Sequence, residues 1–130
     1  MCAARRLVML VDDDADYREA VTAVLEQAGY TVVAAETGLE ALRLLESSAV
    51  SPDLILLDLA QPIMGGRQFV REHRSRPALA GIPVALISGE HDLGRQAAAL
   101  AVDDYLVKPV GADALLALVR RLAGPPDRSV

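Results

Sequence analysis

Five short aliphatic runs alternate along this chain with five stretches of helical periodicity, and that order admits few folds. The runs cover residues 7–11, 31–35, 54–57, 84–87 and 104–107. Strands separated by helices form βα units, and such units build a parallel sheet with helices packed on it. The first run, Leu-Val-Met-Leu-Val, does not alternate with polar residues, which predicts a strand buried on both faces. The spacing predicts helices over 15–28, 39–47, 67–76, 92–101 and 112–123. Val21, Val24 and Leu25 form the inner stripe of the first, Ala41, Leu42 and Leu45 that of the second, and Phe69 anchors the third. Gly29 and Gly124 supply C-terminal stops, Thr37-Gly38 opens helix two, and Pro62 with Gly65-Gly66 forces an irregular loop after the third strand.

The chain's 130 residues suffice for one domain with a genuine core and leave no room for a second. Residues 1–124 are read as that domain and 125–130 as a short polar tail. Aromatics make up only 3% of the chain against 52% hydrophobic residues overall, so the core must be built from Leu, Val, Ile and Ala. A net charge of −5 and a pI of about 4.9 provide no basic footprint for nucleic acid or an anionic membrane. The single cysteine, Cys2, excludes a disulfide framework and a thiolate metal cluster and suits a reducing cytoplasm. No stretch approaches the roughly 18 apolar residues of a membrane span, and the first apolar run is too short for a signal peptide.

Four of the runs end on residues that handle phosphate or a divalent cation: Asp12-Asp13, Asp58, Ser88 and Lys108. Ligands of open parallel sheets collect outside the carboxyl ends of the strands, so these residues are expected to meet there. Each has an ordinary alternative. Carboxylates at a helix N-terminus cap orphan amides, which suits Asp14, and strand-closing serines and solvated lysines are common. Three consecutive acids exceed what capping requires, however, and their oxygens would suit Mg²⁺ or Mn²⁺. A carboxylate beside a divalent cation can act as a nucleophile towards phosphorus. Lys108 can then supply positive charge and Ser88 a hydroxyl to the phosphoryl oxygens.

With these residues in place the sequence resembles the receiver domain of bacterial two-component response regulators over about residues 6–123. The matching stretches are Leu7-Val-Met-Leu-Val-Asp-Asp-Asp14, Pro52-Asp-Leu-Ile-Leu-Leu-Asp-Leu59 with Pro62 and Met64, Ile82-Pro-Val-Ala-Leu-Ile-Ser88 and Asp103-Asp-Tyr-Leu-Val-Lys-Pro109. To the five βα units and parallel sheet read from the pattern, the resemblance adds a doubly wound, flavodoxin-like α/β fold: a five-stranded parallel sheet of order 2-1-3-4-5 with five helices. The strand order rests on the resemblance alone. The resemblance also implies that Asp58 accepts a phosphoryl group from the phosphohistidine of a sensor histidine kinase or phosphotransfer protein. Asp13, Asp58 and the carbonyl of Ala60 match positions that ligate Mg²⁺ directly, with Asp12 acting through water. Ser88 and Lys108 match the phosphate-binding positions and Tyr105 the aromatic switch, while Ala60 and Glu90 occupy positions that tune dephosphorylation. The chain then signals without being an enzyme beyond its own phosphorylation and dephosphorylation.

That likeness carries further expectations. The Lys108-Pro109 bond should be cis, aiming the lysine back over the pocket. Output should use the face of helix four, strand five and helix five, binding a downstream effector or a second copy through Ala97-Ala98-Ala99 and an exposed Leu118. Gly65, Ile63 and Val110 depart from the usual pattern, and Leu100-Ala101-Val102 lacks the usual glycine, so helix four is expected to extend or fray. A phosphohydrolase of the haloacid dehalogenase type also uses Asp, Mg²⁺, a hydroxyl and Lys. It needs an acidic pair after the lysine, whereas only Asp113 and Asp127 remain here, and its motif threonine is replaced by Asp16. A receiver-like interaction module without phosphorylation should have lost one of the five key residues. The chain is thus read as a stand-alone receiver or a natural fragment of a longer one.

Overall fold

The computed structural model describes residues 5–47, 50–59 and 64–127. Ten elements alternate: β1 Leu7–Val11, α1 Ala15–Gln27, β2 Thr31–Ala35, α2 Gly38–Glu46, β3 Leu54–Leu57, α3 Gly66–Ser75, β4 Val84–Ser88, α4 Leu93–Leu100, β5 Asp104–Val107 and α5 Ala112–Ala123. All four strand pairings are parallel, in the order β2-β1-β3-β4-β5. The order reverses between β1 and β3, where the chain leaves for the β2 edge and returns. The carboxyl ends of those two central strands therefore open onto the switch point of the sheet.

Side chains alternate across the sheet, and the core divides accordingly. Met9, Val11, Ile55, Leu57 and Leu86 face α2, α3 and α4, where they pack with Leu42, Leu45, Phe69, Val70 and Leu93. Val8, Leu10, Leu54, Leu56 and Ile87 face α1 and α5, meeting Val21, Leu25, Leu115, Leu118 and Val119. The central β3 is buried throughout, whereas β5, at the edge, alternates between half-buried and exposed residues. At the opposite pole from the switch point, the Asp53 carboxylate accepts from Leu7 N at 2.8 Å and that of Asp103 from Val84 N at 2.9 Å, so two strand-entry amides are satisfied by acids.

Helix ends follow their local chemistry. Asp14 caps α1 by accepting from the amides of Asp16 and Tyr17, and Thr37 Oγ1 caps α2 by accepting from Glu40 N at 3.1 Å. Gly29 leaves α1 at φ 104°, which only glycine adopts freely. Helix α4 neither extends nor frays: it ends on Ala101 at φ 54°, with Val102 N donating to Ala97 O at 3.2 Å in a left-handed cap built without glycine. The expected exposure of Leu118 is also corrected. Leu115, Leu118 and Val119 form the inner stripe of α5, and Leu118 is 2% exposed, because the i, i+3, i+4 period places it against the sheet. Ala97 is likewise buried, leaving Ala98 and Ala99 at the surface.

Residues 5–6 meet residues 126–127 just beyond α5. Arg6 N donates to Pro126 O at 2.9 Å, Arg5 pairs with Asp127 in an isolated antiparallel bridge, and Tyr30 Oη donates to Gly124 O at 2.7 Å. Residues 125–127 of the expected polar tail are thus tied to the start of the chain; residues 128–130 lie outside the described residues.

Candidate functional site

Strand direction alone sets the site. In-register pairing of Val11 with Leu57 places the next residues, Asp12 and Asp58, side by side, and the backbone continues the match as Asp58 N donates to Val11 O at 3.0 Å. Ser88 closes β4 opposite Val107, and Lys108 N donates to Ser88 O at 3.0 Å, bringing the third and fourth strand ends to the same rim. The Lys108–Pro109 bond is cis, as expected from the sequence.

Asp12, Asp13 and Asp58 each offer a carboxylate oxygen, and these atoms lie within 4.8 Å of one another. Asp12 and Asp58 are buried and Asp13 is exposed, so the cluster is open to solvent on one side only. Lys108 Nζ lies 2.8 Å from Asp12 Oδ2 and 3.3 Å from Asp58 Oδ2. Burial opposes its charge, yet hydrogen bonds and attraction from Asp12 and Asp58 prevail and hold the ammonium above the ordinary lysine range. One cation against three carboxylates leaves excess negative charge. Like charges about 4 Å apart at an effective dielectric of about 20 repel by roughly 4 kcal/mol, a repulsion that a divalent cation at this place would offset. The all-oxygen donor set fits Mg²⁺, which takes one or two carboxylates and retains water.

Neighbouring groups hold the cluster in shape. Asp12 Oδ1 accepts from Asp14 N at 2.9 Å, and Arg18 Nη1 donates to Asp12 O at 2.7 Å, fixing the β1–α1 loop. Ser88 is buried and its Oγ accepts from Glu90 N at 3.2 Å. The Glu90 carboxylate turns away from the acids to Arg67 at 3.1 Å. Tyr105 is 40% exposed and sits at the edge of the sheet, its ring over α4, where a Cβ built on Gly94 would come within 2.7 Å of the phenol oxygen. The structure therefore groups Asp12, Asp13, Asp58, Ser88 and Lys108 and places Tyr105 and Glu90 at the periphery. Ala60, Pro62 and Ile63 lie outside the described residues, so the carbonyl ligand and the departure at Ile63 are not placed, whereas Gly65 is the N-cap of α3.

The tight packing of Gly66, read from sequence only as a loop residue, and the place of Tyr17 escaped the sequence reading. Gly66 abuts the strand end so closely that a Cβ there would fall 2.7 Å from Leu59 Cα. Tyr17 lies beneath the lysine, with Nζ 4.1 Å from its ring centroid. A signal existed for each: Gly66 is the second of two adjacent glycines, and Tyr17 is one of only four aromatic residues, one turn beyond the acidic triplet.

Comparisons with known proteins agree with this geometry. The response regulator receiver domain family matches residues 8–120, and the chain belongs to that family. Among curated relatives, an uncharacterized 14.6 kDa protein of the sodA1 3′ region of Leptolyngbya boryana is 38% identical over 124 residues, covering 92% of this chain and 93% of that one. Response regulator MprA of Mycobacterium ulcerans is 34% identical over 88% of this chain and 49% of its own length. The phosphate regulon transcriptional regulatory protein PhoB of Pseudomonas aeruginosa is 32% identical over 94% and 55%. The chain thus spans about half the length of these two regulators. Among solved structures, the Vibrio cholerae chemotaxis protein CheY4 superposes with a TM-score of 0.81 at 30% identity, covering 92% of this chain and 99% of that one. A response regulator receiver protein from Pseudomonas putida gives 0.82 at 32% identity over the same shares.

Proposed function

We propose that this receiver domain works as a phosphoacceptor switch in which Asp58 takes a phosphoryl group from the phosphohistidine of a sensor histidine kinase or phosphotransfer protein. The observation that carries the reading is the Lys108 ammonium lying between Asp12 and Asp58 at 2.8 and 3.3 Å, inside a cluster of three carboxylates. An Asp58 oxygen attacks phosphorus, the phosphorus–nitrogen bond breaks, and the leaving imidazole keeps the electron pair and takes a proton. Asp12, Asp13, Asp58 and the Ala60 carbonyl are the candidate holders of Mg²⁺, Asp12 through water; the cation offsets charge on the transferring group. Lys108 neutralises a phosphoryl oxygen, and the Ser88 hydroxyl, reoriented from its contact with Glu90 N, donates to another.

The remaining assignments follow from these. Tyr105, exposed at the rim, is the candidate aromatic switch, responding when Ser88 is drawn to the phosphoryl group. The partners are then the phosphodonor protein and, on the output side, an effector or a second copy engaging the α4–β5–α5 face. Residues 1–124 constitute the working unit, and its catalysis is confined to gain and loss of its own phosphoryl group. Among the described residues no helix is long and apolar enough to cross a membrane; a cytoplasmic place suits the phosphodonor chemistry.

The test is incubation with acetyl phosphate and Mg²⁺ followed by intact mass. One acid-labile adduct is expected, absent in Asp58→Asn and absent with chelator. An adduct that survives the substitution overturns the assignment of Asp58.

A further inference from the structure

We infer that Tyr17 is a positioning residue for phosphoryl transfer, its ring face seating the Lys108 ammonium against the two buried carboxylates. The inference rests on the phosphoacceptor reading above and adds a residue to it. Nζ stands 4.1 Å from the ring centroid, inside the roughly 6 Å over which an aromatic quadrupole attracts a cation. The same atom reaches Asp12 and Asp58, so it is enclosed by two anions and one aromatic face. A lysine carries its charge on a flexible four-carbon stem, and two contacts on one side leave it free to swing outward. The ring supplies the third wall.

The placement of Tyr17 is tied to the acids themselves. Its amide donates to the Asp14 carboxylate at 3.2 Å, within the cap that starts α1, while Asp14 N donates to Asp12 Oδ1 at 2.9 Å. Ring, metal-cluster loop and lysine are therefore registered by one short run of chain. The phenol oxygen is buried without a hydrogen-bond partner among the described residues, and apolar Ala20, Val24, Val110 and Leu115 line the small cavity beside this ring. An orphaned hydroxyl is a cost, so the contribution to the site comes from the ring face and not from the hydroxyl. Burial, the largest influence, and the charges of Asp12 and Asp58 push the phenol's pKa up while Lys108 opposes them, which keeps the ring neutral at physiological pH.

Ring and hydroxyl separate experimentally. With acetyl phosphate and Mg²⁺, Tyr17→Leu should be phosphorylated about tenfold more slowly, the loss expected for a half-buried cation–π contact, and Tyr17→Phe should stay within about twofold. In a Lys108→Met background the leucine substitution should add almost nothing, because the residue it acts through has gone. A role in packing alone would persist in that background. Without any phosphodonor, the ε-methylene protons of Lys108 should carry an upfield ring-current shift that Tyr17→Phe keeps and Tyr17→Leu abolishes. A leucine variant at the normal rate, a phenylalanine variant as slow as leucine, or an undiminished effect in Lys108→Met overturns the inference. An unsubstituted chain that accepts no phosphoryl group overturns the phosphoacceptor reading instead, and the ring-current shift then reports separately on whether Tyr17 seats the lysine.

Discussion

His73 is a buried imidazole away from the acidic cluster, in a core that is mainly aliphatic. It is 2% exposed on α3, stacked on Phe69 with ring centroids 6.3 Å apart, and among the described residues neither ring nitrogen meets a partner in hydrogen-bond geometry. Burial lowers its pKa below the ordinary value of 6.5 and Arg74 adds to that, against weaker opposition from the backbone of Leu79 and Ile82 and from Asp103. The unfolded chain therefore binds a proton at a pH where the folded chain does not. Stability from this residue is complete above pH 6.5 and declines as the pH falls from there through the lowered folded value. Urea denaturation from pH 7.5 to 5 should show that decline, and His73→Leu should flatten it; an equally steep slope in the variant would place the dependence elsewhere. A second expectation concerns Ala60, which has no side-chain amide to orient water two residues beyond the proposed acceptor, while Glu90 is held by Arg67 at 3.1 Å. Ala60→Asn should shorten the lifetime of the aspartyl phosphate, measured as decay after removal of the donor. An unchanged lifetime would mean that water placement here does not limit hydrolysis.

Among the elements, α4 carries the clearest stored cost. Ala101 ends it at φ 54°, a left-handed conformation that costs a non-glycine residue roughly 1–2 kcal/mol. Ala101→Gly should raise unfolding free energy by about 1 kcal/mol in urea melts, since the residue is exposed and loses no packing. A destabilised glycine variant would mean that the methyl group does more than the backbone strain costs. The elements also show what was legible beforehand. Strands β1, β2, β3 and β5 begin and end where their aliphatic runs do, because polar residues close each run. Strand β4 runs one residue further, to Ser88, because Ser88 pairs with Val107, and pairing is a property of two strands together. The grouping of Asp12, Asp13, Asp58, Ser88 and Lys108 was readable because strand ends of a parallel sheet converge. Tyr17 was not, since its position one turn into a helix says nothing of a lysine 91 residues later that reaches back over it. The exposure expected of Leu118 came from likeness to relatives, which says less about burial than the helical period of α5 itself.

For the whole molecule the sheet is a wall between two cores, and among the described residues its β5 edge carries the large hydrophobic side chains that are exposed. Tyr105 is 40% exposed and Val107 53%, on alternate positions of that edge strand. For the output contact proposed above, these two offer large apolar surface among the described residues and Leu118 does not. Activation with beryllofluoride should change self-association or effector binding, read by sedimentation, and Val107→Lys should weaken that response while leaving phosphorylation of Asp58 intact. An activated chain that sediments and binds as before, or a lysine variant that responds fully, would remove this edge from the output surface.

The junction of Arg5 and Arg6 with Pro126 and Asp127 has a mechanical meaning. Arg6 and Pro126 are bonded at the pole where the strands begin, and Asp58 stands where they finish. A five-residue strand spans about 16 Å, so a tether leaving from Arg6 or Pro126 would be anchored about that far from the chemistry. A covalently attached neighbour would gain high local concentration from such a leash but no direct view of the phosphoryl group. It could learn of the event only by reading a side face, as an untethered partner must.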